Sequence, residues 1–486
     1  MKKPELLDFS QSRIKLLHFT WIAFFITFYI WFNMAPLAST MLQKLEWLTP
    51  DHIKALAIAN VALTIPARII VGSLIDRYGS RIVYSGLLIV MAFPVFLFAF
   101  GNSFTQLLIA RLLLSSIGAG FVIGIRIVAD WFPPRMVGRA EGFYAGWGNF
   151  GSAFAAMTLP WFALNIFGDY EEGWRYALAI NGLVSFVYGF IFYFSVRDTP
   201  EGKTFIGTKK TQPLIATSKT DLIQLILWSF PLVGAIGLLA WRLSTVAIGN
   251  GNSEKFISEN VLYLIWIILL TVFIIHIINT LKINLPLLKK GIPLEDKYSF
   301  NSVAALNTTY FANFGAELAV VSMLPIFFEK TFTISPTLAG IVASSFAFVN
   351  LFARPLGGLL SDRFGNRKMI MLIYMAGIAI GFFSMSFING EWSLWFAIAI
   401  TILCSIFVQG AEGATFAVIP FIKKNLTGQI SGMAGAYGNV GAVVYLVIYS
   451  MVDDKTFFNI IAIGAAFSLL YCWIFLSEPK DSFKTE

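Results

Sequence analysis

The sequence predicts an all-α integral membrane protein built from two similar halves, and two observations carry that prediction. Of the 486 residues, 57% are hydrophobic and only 13% are charged, with a mean hydropathy of +0.74. A soluble fold of this length could not bury so much apolar surface. The second observation is a repeat, because ARIIVGSLIDRYGSR at 67–81 returns as ARPLGGLLSDRFGNR at 353–367. The chain is therefore predicted to be a duplicated membrane protein.

Fourteen apolar segments are long enough to cross a bilayer. Each has about 18 or more largely uncharged residues, the length needed to cross about 30 Å of hydrocarbon as a helix. Segments with the period-two alternation of membrane strands do not compete with them, so a barrel is not expected. The predicted spans are 17–42, 53–75, 82–100, 105–132, 137–166, 174–196, 221–246, 260–281, 300–328, 337–361, 368–388, 392–421, 428–451 and 456–477.

The spans divide into six, two and six. We predict an N-terminal six-helix bundle over 1–196, basic linkers with an inserted transmembrane hairpin over 197–299, and a C-terminal six-helix bundle over 300–486. The first span lacks a cleavage site and is predicted to be a retained helix rather than a signal peptide. Parallel six-helix repeats around a midplane site are typical of secondary transporters. The inserted hairpin has no counterpart in the repeat.

Charge predicts the orientation of the spans. With fourteen spans both termini lie on one side, and the loops of that side hold 24 of the 35 Lys and Arg residues. Cytoplasmic loops carry such an excess, so both termini are predicted to be cytoplasmic in a multi-pass protein of the cell (cytoplasmic/inner) membrane. Orientation accounts for the net charge of +8, and no nucleic-acid partner is expected. Cys404 and Cys472 lie within spans without metal-ligand spacing, so we expect neither a metal nor a cofactor.

Two arginines, one in each half, are predicted to lie near mid-membrane. Arg68 and Arg354 each precede the Asp of a repeated Asp-Arg pair by eight residues, or about 12 Å of helix. Burying one arginine in a bilayer costs about 3 kcal/mol and two like charges repel, so an anionic group should neutralise them. Each arginine could pair with a carboxylate such as Glu317 or Glu412. We favour a small oxyanion held between two planar guanidinium forks.

Aromatic and amide side chains narrow the choice of anion. Tyr310 and Phe314 are spaced i, i+4 and share a helix face, and Phe121 lies in the span containing GAGFVIGIR. Ring faces suit a flat, weakly hydrated anion, although such rings also pack helices. Asn149 and Asn439 lie in the matching motifs GWGNFG and AYGNVG, whose glycines let helices approach closely. Each amide could donate to a ligand or to the backbone.

The repeated Gly-x-Leu-x-Asp-Arg-x-Gly-x-Arg pattern, at 72–81 and 358–367, is predicted to form a cytoplasmic gate. Cytoplasmic positive charge explains its arginines but not the Asp that both copies keep. A breakable charge pair that latches this side would explain the Asp. The predicted gate residues are Asp76, Arg77, Arg81, Asp362, Arg363 and Arg367.

Several further segments carry a family resemblance. They are WFNMAPLA, GIRIVADWFPP, AGWGNFG, NFGAELAVVSMLP, AEGATFAVIPF and AGAYGNVGAV. Together with the Asp-Arg loops, which resemble the signature of the major facilitator superfamily, they make the sequence similar to the nitrate/nitrite porter family. The resemblance covers both six-helix halves. It does not cover the insert at 221–281, because the family pattern has twelve spans.

The resemblance implies a transporter of nitrate, nitrite or both that works by alternating access. The family pattern assigns the anion clamp to two arginines, an anion sandwich to two phenylalanines, and hydrogen-bond donation to a tyrosine and an asparagine. In this sequence those positions are Arg68, Arg354, Phe121, Phe314, Tyr310 and Asn149, and Asn439 fills the second glycine-rich motif.

Uptake of an anion also needs an energy source. Moving a monovalent anion into a negative interior costs about 2.3 kcal/mol per 100 mV, so uptake needs a cotransported cation or an exchanged anion. Glu317 and Glu412 are candidate proton carriers because they are carboxylates within spans, and each could equally be a structural partner, for example of Arg126. We expect proton-coupled uptake, with nitrate/nitrite exchange as the alternative.

Other functions stay open at this point. The chain could be a porter for another small anion such as an organic acid, or a membrane sensor that binds an anion without moving it. An enzyme is not expected, because His18, His52 and His276 lie far apart and no Ser/His/Asp set, metal motif or phosphate loop stands out. We expect a monomer in the lipid bilayer.

Overall fold

The computed structural model describes residues 8–200, 214–248, 254–293, 296–423 and 426–478, together with positions 6, 202 and 205. Within these ranges the protein is all-helical, apart from an isolated bridge between Ala247 and Lys255. The two termini at 1–5 and 479–486 and part of the predicted linker, including 206–213, lie outside the described residues, as do the side chains at 134, 135 and 138.

The helices of the first predicted half are short where the chain carries proline or clustered glycine. A 3-10 turn at Ala35–Leu37 separates the first two helices, because Pro36 lacks the amide N–H that a continuous helix needs. A second 3-10 turn at Ser115–Ala119 precedes Gly120. The helices are α1 (Ser12–Trp31), α2 (Ala38–Lys44), α3 (Pro50–Ala62), α4 (Thr64–Tyr78), α5 (Ser80–Ala99), α6 (Phe104–Leu114), α7 (Gly120–Trp131), α8 (Pro134–Trp161) and α9 (Gly173–Ser195).

The insert and the second predicted half contain longer helices. Pro325 and Pro420 lie inside two of these helices without ending them. A break at Val349 divides one predicted span into two helices. The helices are α10 (Lys219–Ser244), α11 (Glu259–Lys290), α12 (Phe300–Phe332), α13 (Pro336–Phe348), α14 (Asn350–Arg363), α15 (Arg367–Met385), α16 (Leu394–Ile422), α17 (Thr427–Tyr449) and α18 (Asp454–Phe475).

Helix length and composition make this a multi-pass membrane protein. Among the described residues, 13 continuous or broken helices are long and apolar enough to span a membrane. The remaining predicted span, 137–166, corresponds to the 28-residue α8 and the π-helical turn Phe162–Ile166 that follows it. Its glycines, Glu141 and Asn149 lower its hydropathy, so its place in the membrane rests on its position in the sequence repeat.

The chain forms two compact units. The first contains Met1–Thr211, Val320–Leu356 and Ile388–Ile406. Within it α1 lies along α8, and Gly151 allows a close approach of the two backbones, because a β-carbon there would collide with the Phe25 carbonyl oxygen. Gly340 of α13 faces the Ala156 carbonyl of α8 in the same way. Small residues thus set the helix spacing, as is usual in membrane bundles.

The second unit contains Gln212–Ala319, Gly357–Phe387 and Phe407–Glu486. Its α17 meets the first part of α12 at Gly441, where a β-carbon would collide with the Phe311 carbonyl oxygen. The inserted α10 packs on α17, since the Tyr437 hydroxyl donates to the Trp228 carbonyl at 2.5 Å. Most of α11 is exposed and apolar, a surface suited to lipid.

Candidate anion-binding site

Two buried arginines of the first unit lie beside one aromatic ring. Arg68 of α4 and Arg354 of α14 are 4% and 3% exposed. Their guanidinium carbons are 5.3 Å and 5.6 Å from the centroid of the Phe121 ring on α7. These distances place the two guanidinium carbons within about 11 Å of each other. One residue from each repeated motif therefore contributes a permanent cation to the same small volume.

The electrostatics of this cluster favour an anion. With an effective dielectric constant of about 20, two positive charges repel by about 1.5 kcal/mol at the upper limit of about 11 Å and by more at shorter separations. An anion about 4 Å from either charge would gain about 4 kcal/mol from that charge, before the cost of removing it from water. The Phe121 ring lies within about 6 Å of both guanidinium groups, and such a cation–π contact stabilises each of them by about 1 kcal/mol. Attraction to a shared anion therefore outweighs the mutual repulsion of Arg68 and Arg354.

The ring of Phe121 is held in place by α1 and α8. The Tyr144 hydroxyl donates to the backbone carbonyls of Gly120 and Phe121 at 3.0 Å and 3.3 Å. The Phe24 ring lies 5.7 Å from the Phe121 ring. Gly124 leaves room for Tyr144, since a β-carbon at Gly124 would overlap the tyrosine ring. Phe121 is thus fixed by packing and by hydrogen bonds of its own backbone.

Asn149 lies in the same unit and contacts α14. Its side-chain nitrogen is 3.5 Å from the side-chain oxygen of Asn350, and both residues are fully buried. The close approach of α8 to α14 depends on Gly146, because a β-carbon introduced there would be 2.7 Å from the Asn350 carbonyl oxygen. Asn350 precedes Arg354 by four residues, so the two share a helix face. The structure therefore brings together Arg68, Phe121 and Arg354 of the predicted site, and Asn149 contacts Asn350, which stands one turn before Arg354.

The other predicted ligand residues belong to the second unit. The rings of Tyr310 and Phe314 on α12 stack 5.0 Å apart with an angle of 14°, and both are buried. Gly438 lies against them, because its added β-carbon would be 2.5 Å from Phe314 and 2.8 Å from Tyr310. Asn439 is fully buried, and its amide donates to the Gly435 carbonyl of its own helix at 3.3 Å. The glycine-rich motif thus accommodates the stacked rings.

Both candidate proton carriers also lie in the second unit. Glu317 of α12 is 1% exposed and Glu412 of α16 is fully buried. Arg126, considered above as a partner for such a carboxylate, forms ion pairs with Asp130 at 2.9 Å and with Asp76 at 3.8 Å.

The first gate motif therefore joins α4 to α7 through the Asp76–Arg126 pair. Both side chains are partly exposed, at 25% and 48%, so this pair is weak and easily broken. Arg77 is exposed and lies over the Tyr78 ring at 5.1 Å. Arg81 contacts the Asp198 carboxylate at 3.9 Å.

The second gate motif uses different partners. Asp362 pairs with Arg367 of the same motif at 2.5 Å, and Arg367 is 3% exposed. Arg367 also donates to the Ala417 carbonyl at 3.1 Å. Arg363 is exposed. The ion pair of the second motif thus lies within the motif, whereas that of the first reaches another helix.

Two acidic residues absent from the sequence prediction cap helices next to the gate motifs. The Asp198 carboxylate accepts the backbone N–H of Arg81 at 2.7 Å, at the start of α5. The Glu478 carboxylate accepts the N–H groups of Arg367 and Lys368 at 3.1 Å and 2.7 Å, at the start of α15. Each acid comes three residues after the last helix of its half. That shared position was the signal available in the sequence.

Asn350 was also missed, although its sequence contains a usable signal. It stands one helical turn before Arg354, which is the spacing of neighbours on one helix face. The equivalent residue one turn before Arg68 is Thr64, whose hydroxyl donates to the Ser115 carbonyl. Aligning the two repeats therefore does not reveal the amide at position 350. Among the described residues, no group of three or more His, Cys, Asp or Glu side chains could hold a metal ion.

Comparisons with known proteins agree with this architecture. The family model described as Major Facilitator Superfamily matches residues 20–306 and 306–486. The solved structure of the xylose transporter XylE from E. coli, in a partially occluded inward-open conformation, covers 98% of this chain and all of its own, with a TM-score of 0.62 and 15% identity. The human organic anion transporter MFSD10 covers 95% of this chain and 99% of its own, with a TM-score of 0.55 and 12% identity. These likenesses establish the fold of a secondary transporter.

Sequence relatives narrow the family. The nitrate/nitrite transporter NrtP of Nostoc punctiforme is 45% identical over 99% of this chain and 95% of its own length. The protein of the same name from Picosynechococcus sp. is 43% identical over 97% and 94%. The high affinity nitrate transporter 2.5 of Arabidopsis thaliana is 28% identical over 91% and 75%. The chain belongs to the nitrate/nitrite porter family of the Major Facilitator Superfamily, as the sequence motifs predicted.

Proposed function

We propose that this protein is a secondary active transporter that moves nitrate and nitrite across the cytoplasmic membrane by alternating access. One observation carries the proposal: two buried guanidinium groups, one from each repeat, lie beside the same aromatic ring. Two planar guanidinium forks beside one ring suit a flat oxyanion with one negative charge. The printed names of the NrtP relatives support nitrate and nitrite as the cargo.

Further parts of the proposal follow from the sequence. Phe121 and Phe314 contact the faces of the anion, and Asn149, Tyr310 and Asn439 offer hydrogen-bond donors. The chain acts as a monomer of two six-helix bundles, 1–196 and 300–486, with the insert 197–299 beside them. Both termini face the cytoplasm, because the basic loops do.

We further propose that protons drive uptake and that Glu317 and Glu412 carry them. Both carboxylates are buried within predicted spans, where an ionisable group is a functional candidate by default. Burying a neutral carboxyl in an apolar environment costs far less than burying a carboxylate. Protonation therefore permits the transporter to change conformation while the anion is bound. Exchange of nitrate for nitrite would need no such group.

Uptake by purified protein in proteoliposomes tests these points. We expect labelled nitrate and nitrite to enter vesicles, an imposed inward proton gradient to accelerate entry, and nitrate addition to make the external medium alkaline. Glu317→Gln and Glu412→Gln should abolish the alkalinisation, whereas Glu391→Gln, at an exposed loop carboxylate, should preserve it.

Each alternative has its own outcome in the same assay. Displacement of nitrate by formate would indicate an organic-acid porter. Nitrate binding without uptake would indicate a sensor. Uptake that ignores the proton gradient and requires nitrite inside the vesicles would establish exchange and refute proton coupling.

A further inference from the structure

Asn307 of α12 is a fully buried amide that has no hydrogen-bond partner among the residues that the structure describes. Its side-chain oxygen and its side-chain nitrogen are both unsatisfied, so turning the amide over would not change this. Asn313 of the same helix shows the usual arrangement, because its oxygen accepts the Phe314 N–H at 2.6 Å and its nitrogen donates to the Thr415 hydroxyl at 3.4 Å. A buried polar group without a partner costs stability, which indicates that Asn307 serves something other than folding.

Asn307 shares a helix face with two residues of the predicted anion site. Tyr310 and Phe314 follow it by three and seven residues, a spacing that places all three side chains on one side of α12. The rings of Tyr310 and Phe314 stack 5.0 Å apart, and the Phe416 ring on α16 lies 5.1 Å from Tyr310. Three residues of helix rise about 4.5 Å, so the Asn307 amide lies next to this ring pair, toward the N-terminal end of α12.

The equivalent position of the first repeat holds a residue whose polar group is satisfied. The crossing of α12 at Phe311 matches the crossing of α1 at Phe25, since a glycine of each repeated motif faces the carbonyl there. Asn307 and Trp21 each stand four residues before that phenylalanine. The Trp21 indole N–H donates to the His18 ring at 2.8 Å. Packing at this level of the repeat therefore does not require an unsatisfied amide.

The chemistry of the amide suits an anion on its way through the protein. A carboxamide offers two N–H donors and one acceptor oxygen. The donors can bind the oxygens of a small oxyanion, and the acceptor oxygen can take an O–H of a water that accompanies it. Because the amide is neutral, it holds the anion without a charge that would slow its release.

We infer that Asn307 is a further ligand residue of the transport path, which donates a hydrogen bond to nitrate or nitrite beside the Tyr310–Phe314 ring pair. The inference rests on the proposed function and adds a binding group that neither the repeat nor the family resemblance assigns. The anion supplies the hydrogen-bond partner that the described residues do not provide. In the proposed orientation α12 begins at the cytoplasm, so the amide meets the anion on the cytoplasmic side of the rings.

Measuring stability and transport together in Asn307→Leu tests the inference. Leucine keeps the branched shape of asparagine and removes both unsatisfied polar atoms, so the thermal unfolding temperature should stay the same or rise. The KM for uptake of nitrate and of nitrite into proteoliposomes should rise about tenfold, the effect of one hydrogen bond to a charged group.

Asn284→Leu is the matched control, in the inserted α11. Asn284 is also fully buried, but its oxygen accepts the Ala216 N–H at 2.7 Å and its nitrogen donates to the Thr280 carbonyl at 3.0 Å. This variant should lower the unfolding temperature and leave both KM values unchanged, which is the opposite pattern.

Two further variants keep the inference open to refutation if leucine does not fit. Asn307→Ala removes the amide without adding bulk and should also raise both KM values about tenfold. Asn307→Asp keeps the shape of the side chain but presents a carboxylate, so at pH 8 it should raise them further by repelling the anion. Wild-type KM values in the folded variants would overturn the inference and leave the amide as the site of a bound water only. A wild-type protein that takes up neither anion would refute the proposed function instead.

Discussion

Asn149 and Asn439 occupy the same place in a repeated motif, but their amides form different hydrogen bonds. Asn149 reaches across to Asn350 on α14, whereas Asn439 donates to Gly435 in its own helix. The neighbouring glycines behave alike, since Gly151 and Gly441 each face the carbonyl of a phenylalanine on the adjacent helix. Duplication has preserved the helix crossings and let the polar chemistry diverge.

The difference arises from what lies opposite each amide. The α8 amide meets the start of α14, where Asn350 offers a second amide. The corresponding place in the first repeat is Thr64, whose hydroxyl donates to the Ser115 carbonyl. A repeated motif therefore specifies backbone packing, and the partner residue decides whether its amide can serve a ligand.

The largest effects are expected for the two arginines, whose role in binding the anion should be the same in both repeats. Arg68→Gln and Arg354→Gln should each reduce nitrate uptake by about 100-fold or more, because each removes about 4 kcal/mol of attraction to the anion. Initial uptake rates in proteoliposomes measure the effect, and Arg197→Lys, at an exposed position after α9, serves as the control. Near-normal uptake in either Gln variant would refute the shared clamp.

The glycines test whether the two helix crossings are equivalent. Gly151→Ala and Gly441→Ala should each lower the free energy of unfolding by about 1–3 kcal/mol, since the new methyl group collides with a backbone carbonyl. Thermal unfolding in detergent measures this. Gly432→Ala is the control, because its β-carbon meets nothing within 4 Å. A loss of stability at only one of the two crossings would show that packing has diverged too.

The asparagines test the divergence itself. Asn149→Ala should raise the KM for nitrate about tenfold, because its amide is a proposed donor to the anion and contacts Asn350, one turn before Arg354. Asn439→Ala should raise it less than about threefold, because one N–H of that amide donates to Gly435 and only the other is left for the anion. Equal effects in uptake assays would show that Asn439 turns to the ligand during transport.

The gate motifs should give the smallest effects. Asp362→Asn should slow turnover about fivefold, because Arg367 is buried and loses its charged partner. Asp76→Asn should slow it only about twofold, since Arg126 is partly exposed and keeps its ion pair with Asp130. Neither should change nitrate affinity. Turnover equal to wild type in both variants would eliminate the latch.

The sequence predicted the fold well because the features that specify it are local. Hydropathy locates spans, and a matched run such as 67–81 with 353–367 reveals the duplication without three-dimensional information. Aligning the two copies of the repeat also identified Arg68 and Arg354 as equivalent residues. Their position beside Phe121 depends on how three helices pack, and no single stretch of sequence specifies that packing.

The missed residues share a different property. Asn350 has a counterpart of another residue type in the first repeat, so repeat matching passes over it. Asp198 and Glu478 follow the last helix of each half and cap a helix more than 100 positions earlier in the chain. Such long-range polar contacts leave no periodic pattern in the sequence.

The two carboxylate caps also bear on where the chain can be cut. Asp198 caps α5 and Glu478 caps α15, so each repeat carries its own cap. Fragments 1–205 and 214–486, expressed together from separate genes, would retain both capping contacts. A stop codon at position 478 would instead uncap α15 and cost about 1 kcal/mol at that helix end. A shortened chain that keeps the carboxylate cap of α15 must therefore include Glu478.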